Sequence, residues 1–372
     1  MNDRFENINL LRAFAAIAVV VYHVIEYANW SSFPATGPLL TFRIGWIGVD
    51  LFFVISGFVI TRSALALWRQ DAADFRRRYW ARRLSRIVPL YLLTGVLWIV
   101  LFKPSFFDPP ATHWLWQIAS HLTFTHSFWP VTYHSINGVN WTLALEMQFY
   151  LTVAILVPWL ARTPGWRIWA GCILIAWAWR GAMVYYFGHY EPLRLFVRVM
   201  QLPGALDEFG AGIFLAKLLD RRPDPGRMAG WGWALAAVVT GTVCMGIYWP
   251  RAHYWDQPGM IVFWRTSLGV FFLCVVAAAV HLPPIAERWL LRPVRYLGVV
   301  SYGIYLWQLF AIKAVLQIEG ITAPLALAMT LGLTILLAAI SWHFFEKPLL
   351  DRGRRYSARR SRHLKSAAPG LP

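Results

Sequence analysis

Stretches of helical length in which almost every position is apolar recur near residues 8–27, 45–65, 87–102, 139–160, 168–187, 199–219, 229–249, 261–281, 295–317 and 323–345. A bilayer core of about 30 Å takes roughly 20 predominantly apolar residues in a helix. The pattern therefore predicts ten transmembrane helices, and the fold class is all-α, a polytopic membrane protein. The third stretch is short and could extend at either end. Residues 114–129 are apolar enough for an interfacial or re-entrant helix, which would raise the question of an eleventh crossing.

The polar exceptions carry the next layer of information. The first run, LLRAFAAIAVVVYHVIEY, contains Arg12 and His23. An ionisable side chain at the centre of a membrane span costs on the order of 2.5–3.5 kcal/mol or more, so such residues face a protein interior or a water-filled cavity. Eleven helical steps return to within roughly 20° of the starting direction and advance roughly 16 Å. One face of one helix carries both residues, three turns apart.

Composition agrees with this class: 58% of the 372 residues are hydrophobic, 14% are charged, and 22 are Trp, far from the profile of a soluble domain. The formal charge of +17 would suit nucleic acid, but the excess lies in short loops and a tail beside the spans. Topology and anionic membrane lipid account for it, and nucleic acid is excluded as a partner. Most basic residues fall on one side if the N-terminus is cytoplasmic, among them Arg69–Arg86, Arg288–Arg295 and Lys347–Lys365. Arg43, Lys103, Arg194, Arg198 and Arg251 fall on the other. An eleventh crossing would invert every later loop, so both termini are expected in the cytoplasm. The first run reads as a retained span rather than a cleaved signal. Residues 1–349 are expected to form one membrane domain and 350–372 a flexible, basic cytoplasmic tail. Cys172, Cys244 and Cys274 lie within spans without C-x-x-C spacing and read as packing residues, and no metal-ligand spacing is present.

In this topology His23, Asp50 and Glu146 lie roughly 6, 8 and 10 Å from the outer ends of their helices, a depth they could share. Arg180 and Arg265 fall in the outer half, and Arg12, Arg62 and Lys217 near the cytoplasm. A polar cavity open to the outside, with a basic entrance from the cytoplasm, keeps all of them out of lipid.

Six segments in order, INLLRAFAAIAVVVYHV, GVDLFFVISGFVITR, RRLSRIVPLY, NWTLALEMQFYL, SYGIYLWQ and FFEKPL, resemble the acyltransferase 3 family of bacterial membrane acyltransferases, over residues 7 to 349. The resemblance implies ten helices in the bacterial inner membrane. It also implies transfer of an acyl group, commonly acetyl, from cytoplasmic acyl-CoA to a hydroxyl of a cell-surface or extracellular glycan, or of a lipid-linked saccharide. Acyl-CoA (acetyl-CoA) would be a co-substrate, with no permanently bound cofactor. Other members are thought to acylate small secreted molecules such as macrolides. The family's Arg-x10-His pair falls on Arg12 and His23, its Gly-Val-Asp motif includes Asp50, and its Trp-x-Leu-x-x-Glu motif includes Glu146. Its arginine-rich stretch matches Arg82, Arg83 and Arg86. Where many relatives read Tyr-Leu-Trp-His, this chain has Tyr305, Leu306, Trp307 and Gln308, and an amide cannot serve as a base near neutral pH.

Acyl transfer to an alcohol requires a base, an electrophilic donor and stabilisation of a developing oxyanion. His23 is the natural base, with Glu146 or Asp50 orienting its imidazole and Glu26, one turn away, as an alternative. A role as acyl carrier stays equally open for His23. Arg12, nearer the cytoplasm, suits the charged part of the donor, and the basic loop residues Arg82, Arg83 and Arg86 suit the phosphates of CoA. Glu26, Arg180, Arg265, Tyr305 and Gln308 form the remaining acceptor or structural polar set. His113, His121, His126 and His134 read as solvated loop histidines. A transporter or flippase using the same buried charges is the rival class, although the halves of the chain show no repeat.

Overall fold

The computed structural model describes residues 6–37, 39–188, 192–221, 226–251, 254–285 and 288–366, which among them form sixteen α-helices joined by short 3-10 and π turns, with no strand. Helix α1 (Glu6–Tyr27) leads into the one-turn α2 (Leu40–Arg43), then α3 (Gly48–Gln70) and α4 (Phe75–Phe102). Two shorter helices, α5 (Ala111–Leu122) and α6 (Pro130–Tyr133), precede α7 (Trp141–Arg162) and α8 (Gly165–Phe187). The short α9 (Pro192–Val199), then α10 (Leu202–Arg221), α11 (Gly226–Tyr248) and α12 (Arg265–His281) follow. The last four are α13 (Arg292–Val299), α14 (Ser301–Val315), α15 (Ala323–Ser341) and α16 (Lys347–Ser366).

Each of the ten apolar stretches is helical, and the chain is an all-α polytopic membrane protein. Among the described residues eight helices are long and apolar enough to cross a bilayer, or nine with α13 and α14 taken as one span bent by 70°. The stretch expected at 199–219 is α10, whose 20 residues have the length of a span. Its Asp207, Glu208 and Lys217 are buried against protein, so the cost of those charges in lipid does not arise. The expected straight helix at 295–317 is instead broken at Val300. There α13 folds onto the start of α1, where a Cβ on Gly298 would stand 1.8 Å from the Asn9 carbonyl oxygen. No eleventh span forms from residues 114–129: α5 has 12 residues, about 18 Å of helix.

Two further expectations change. The arginine-rich segment expected as a loop is the first half of α4, a continuous 28-residue helix. The tail expected to be flexible from residue 350 is helical to Ser366 as α16. Its near end packs on α4, where Arg82 Nε donates to Ser357 Oγ at 3.2 Å and Arg77 Nη1 to the Tyr356 carbonyl at 3.3 Å. Residues 367–372 lie outside the described residues.

Helices α1, α3, α7, α10, α12 and α14 are the most buried, whereas α4, α8, α11 and α15 show apolar residues outward. Without a hydrophobic drive between helices in lipid, close backbone approach and buried polar contacts hold such bundles together. Both occur where α3 crosses α10. A Cβ on Gly57 would lie 2.2 Å from the Phe209 carbonyl oxygen, and one on Gly212 2.2 Å from that of Val54. Next to this crossing, Arg180 of α8 reaches Asp207 at 2.5 Å and donates to the carbonyls of Gly204 (2.7 Å) and Val262 (2.8 Å). Val262 sits in the π turn Met260–Trp264 that opens α12, so one guanidinium ties α8, α10 and α12 together. Lys217 Nζ donates to the carbonyls of Leu160 (2.6 Å) and Ala161 (2.9 Å), capping the C-terminal end of α7 with a cation where the helix dipole is negative. Arg69 and Asp220 pair at the ends of α3 and α10.

Candidate active site

Two cavities lie along α1, one at each member of the Arg12–His23 pair. The first, about 80 Å³, is walled by α1, α3, α4, α7 and α14, and its polar lining consists of Arg12, Ser56, Arg86, Thr142, Glu146, Tyr150, Ser301, Tyr302 and Tyr305. Glu146 Oε1 accepts hydrogen bonds from Ser56 Oγ (2.8 Å) and Tyr150 Oη (2.7 Å). The carboxylate is thereby fixed in a pocket that also presents two guanidinium groups. Positive charge of this kind, held in a low-dielectric wall, suits an anionic ligand or charge that develops on a reacting oxygen.

The second cavity, about 840 Å³, opens at the far end of α1 and is lined by His23, Glu26, Arg43, His134 and Arg265 among aromatic side chains including Tyr22, Tyr27, Trp46, Trp141 and Trp255. His23 Nδ1 lies 3.0 Å from Gln308 Oε1, and Gln308 Nε2 donates to the Tyr305 carbonyl at 3.0 Å. A backbone carbonyl only accepts, so the amide nitrogen must face Tyr305 and the amide oxygen must face the imidazole. The oxygen in turn requires a proton on Nδ1. The neutral imidazole is therefore the Nδ1–H tautomer, and the lone pair of Nε2 is left for chemistry.

This geometry redistributes the expected site residues. His23 and Arg12 occupy different cavities. The partner of His23 is neither Glu146 nor Asp50 but Gln308, because α14 rather than a carboxylate-bearing helix meets that face of α1. Glu146 belongs with Arg12. Asp50 is fully buried, 3.1 Å from Arg265, whose Nη1 is also 3.6 Å from Glu208; it holds Arg265 at the wall of the His23 cavity. Arg180 is committed to Asp207. Of the three arginines expected for CoA, only Arg86 lines the Arg12 cavity. Helical periodicity separates the other two: Arg83 is buried against the rings of Tyr79 and Tyr150, 5.7 and 5.6 Å from their centroids, and Arg82 faces α16. Glu26 is exposed at the mouth of the His23 cavity.

The outer-segment histidines also differ from expectation. His113 is exposed, but His134 lines the His23 cavity, and His121 and His126 are buried with their rings stacked 4.0 Å apart at 5°. Ser56 was missed, since a serine in an apolar helix gives no signal by itself. Glu346, in the FFEKPL segment, was also missed; it is buried, accepts from Ser341 Oγ at 2.9 Å, and sits in a second π turn, Trp342–Glu346. A carboxylate within an otherwise apolar run was the available clue.

The protein is thus a polytopic membrane bundle with a basic, carboxylate-containing cavity at Arg12 and a large aromatic cavity at His23, both along one helix. The profile of the acyltransferase domain matches residues 5–343, and the chain belongs to the acyltransferase 3 family. YrhL of Bacillus subtilis, provisionally named a peptidoglycan O-acetyltransferase, is 28% identical over 378 residues, covering 94% of this chain and 55% of that protein. The peptidoglycan O-acetyltransferase OatA of Listeria monocytogenes is 25% identical, over 93% of this chain and 56% of its own length. The O-acetyltransferase OatA of Staphylococcus aureus is 26% identical, over 92% and 57%. The chain thus spans little more than half the length of these relatives. No solved structure matches it.

Proposed function

We propose that this protein is an integral-membrane O-acyltransferase that moves an acyl group, acetyl in the first instance, from acyl-CoA at the Arg12 cavity to a hydroxyl of a cell-wall or cell-surface glycan in the His23 cavity. The observation that carries this reading is the fixed tautomer of His23, a residue lining the larger cavity, whose Nδ1–H is engaged by Gln308 and whose Nε2 keeps its lone pair. The relatives' names supply the chemistry of the acceptor. The basic lining around Arg12 and Arg86 suits the donor, and the distribution of Lys and Arg along the sequence supports a cytoplasmic position for that side.

The acceptor hydroxyl gives its proton to His23 Nε2 as its oxygen bonds to the acyl carbon. The Nδ1–H bond to Gln308 keeps the imidazole oriented while it becomes imidazolium. Arg12 and Arg86 hold the anionic part of the donor in the neighbouring cavity. The C–S bond then breaks, and the thiolate takes a proton from the imidazolium. Aromatic faces around the larger cavity supply stacking surface for sugar rings.

Purified protein with labelled acetyl-CoA and a glycan acceptor tests the reading. His23→Ala should abolish acceptor-dependent CoA release through kcat, whereas Arg12→Ala should chiefly raise KM for acetyl-CoA. Acetylated protein formed from donor alone would turn His23 from base to carrier. Movement of a substrate without acyl-CoA turnover would sink the proposal in favour of transport.

A further inference from the structure

The two cavities have two lining residues in common, Val49 of α3 and Tyr305 of α14. Arg12, Glu146 and Arg86 are on one side of them, and His23 is on the other. Tyr305 is 7% exposed and Val49 8%. The Tyr305 hydroxyl accepts from Thr142 Oγ1 (2.9 Å) and donates to the Val139 carbonyl (3.2 Å), and its ring meets that of Phe52 edge-on at 6.3 Å. Its backbone carbonyl accepts from the amide that orients His23.

An acyl group that passes from the Arg12 cavity to the His23 cavity through the wall they share passes this pair. We propose that Tyr305, backed by Val49, is a septum between donor and acceptor, a positioning residue that keeps the water of the larger cavity off the donor thioester until an acceptor has entered. This rests on the acyltransferase reading. Two neutral hydrogen bonds and one ring contact hold the side chain shut, a restraint that ligand binding can overcome. Because the phenol and the Gln308 amide belong to one turn of α14, displacement of the septum and re-aiming of His23 are mechanically linked. The side reaction that the septum suppresses is hydrolysis: a water oxygen bonds to the acyl carbon, the C–S bond breaks, and acyl-CoA and water become carboxylate, thiol and one proton.

The barrier can be read without turnover. With Cys172, Cys244 and Cys274 replaced by Ala, Ser56→Cys places a thiol in the Arg12 cavity, and a membrane-impermeant thiol reagent is applied to right-side-out vesicles from the side of the His23 cavity. Labelling should be slow with Tyr305 in place, unchanged in Tyr305→Phe, which keeps the ring, and about tenfold faster in Tyr305→Ala, with water-filled space where the ring was. Val49→Ala is the second variant, from a different helix, and should act in the same direction. In purified protein Tyr305→Ala should raise acceptor-independent CoA release from acetyl-CoA about tenfold. Equal labelling in the parent, Tyr305→Ala and Val49→Ala overturns the septum, even if the parent transfers acetyl. If labelling follows the septum and no form of the protein releases CoA, the septum stands and the acyltransferase reading fails.

Discussion

Gln308→Leu removes the acceptor of the His23 Nδ1–H bond while keeping much of the side-chain volume. Gln308 is completely buried and the bond is 3.0 Å, so no bulk water replaces the lost partner. An unmet buried donor costs about 1–3 kcal/mol, and at 1.36 kcal/mol per factor of ten that corresponds to a loss of about 5- to 150-fold if it falls on the transition state. It should fall there. The imidazole carries a full positive charge only after it has taken the hydroxyl proton, and a ring free to take the other tautomer presents N–H instead of a lone pair to the acceptor. The assay is steady-state CoA release with acetyl-CoA and acceptor varied separately, on protein shown to be monodisperse. The expected result is a lower kcat with KM for acetyl-CoA unchanged, since Gln308 lies away from the Arg12 cavity. An unchanged kcat, or a raised donor KM at constant kcat, would refute both the tautomer assignment and the role of His23 as base.

The two carboxylates read from the sequence as equivalent should part company. Asp50→Ala removes the nearer of the two carboxylates beside Arg265 and leaves Glu208 at 3.6 Å, so it should cost less than the about 3–5 kcal/mol of a fully uncompensated buried charge but still lower Tm; Glu146→Gln should fold normally and lose activity, and the reverse pattern would contradict the assignment. His121 and His126 predict a pH dependence. Burial pushes His121 down to about 4 and His126 to about 3, so between pH 6.5 and those values the unfolded chain binds more protons than the folded one, and stability falls as pH falls. Tm in detergent should drop between pH 7 and pH 5, and His126→Phe should flatten that slope; a wild-type slope in the variant would show that the stacked pair is not its source.

Much of the architecture follows from local chemistry. Ten helical stretches, the membrane class and the Arg12–His23 pairing all depend on side-chain hydropathy and on the 3.6-residue repeat, which act within one segment and need no knowledge of its neighbours. The bend at Val300 was hidden because an apolar run reads alike whether the helix is straight or broken, and Gly298 becomes informative only once Asn9 is seen beside it. The arginines of α4 show the same limit. Arg82, Arg83 and Arg86 are one motif along the chain, but helical rotation sends them to α16, to Tyr79 and Tyr150, and to the Arg12 cavity.

Membership of a buried helix was readable, and azimuth was not. His23, Asp50 and Glu146 do belong to central helices, but which side chain each one meets depends on how α3, α7, α10, α12 and α14 rotate about α1. Close glycine contacts and buried ion pairs far apart in sequence settle those rotations. The residue types and their order along the chain therefore determined that this protein would bury a histidine and a cluster of charges in a membrane bundle. The tertiary packing alone decided that Gln308 meets His23, that Asp50 sits beside Arg265, and that Tyr305 lines both cavities.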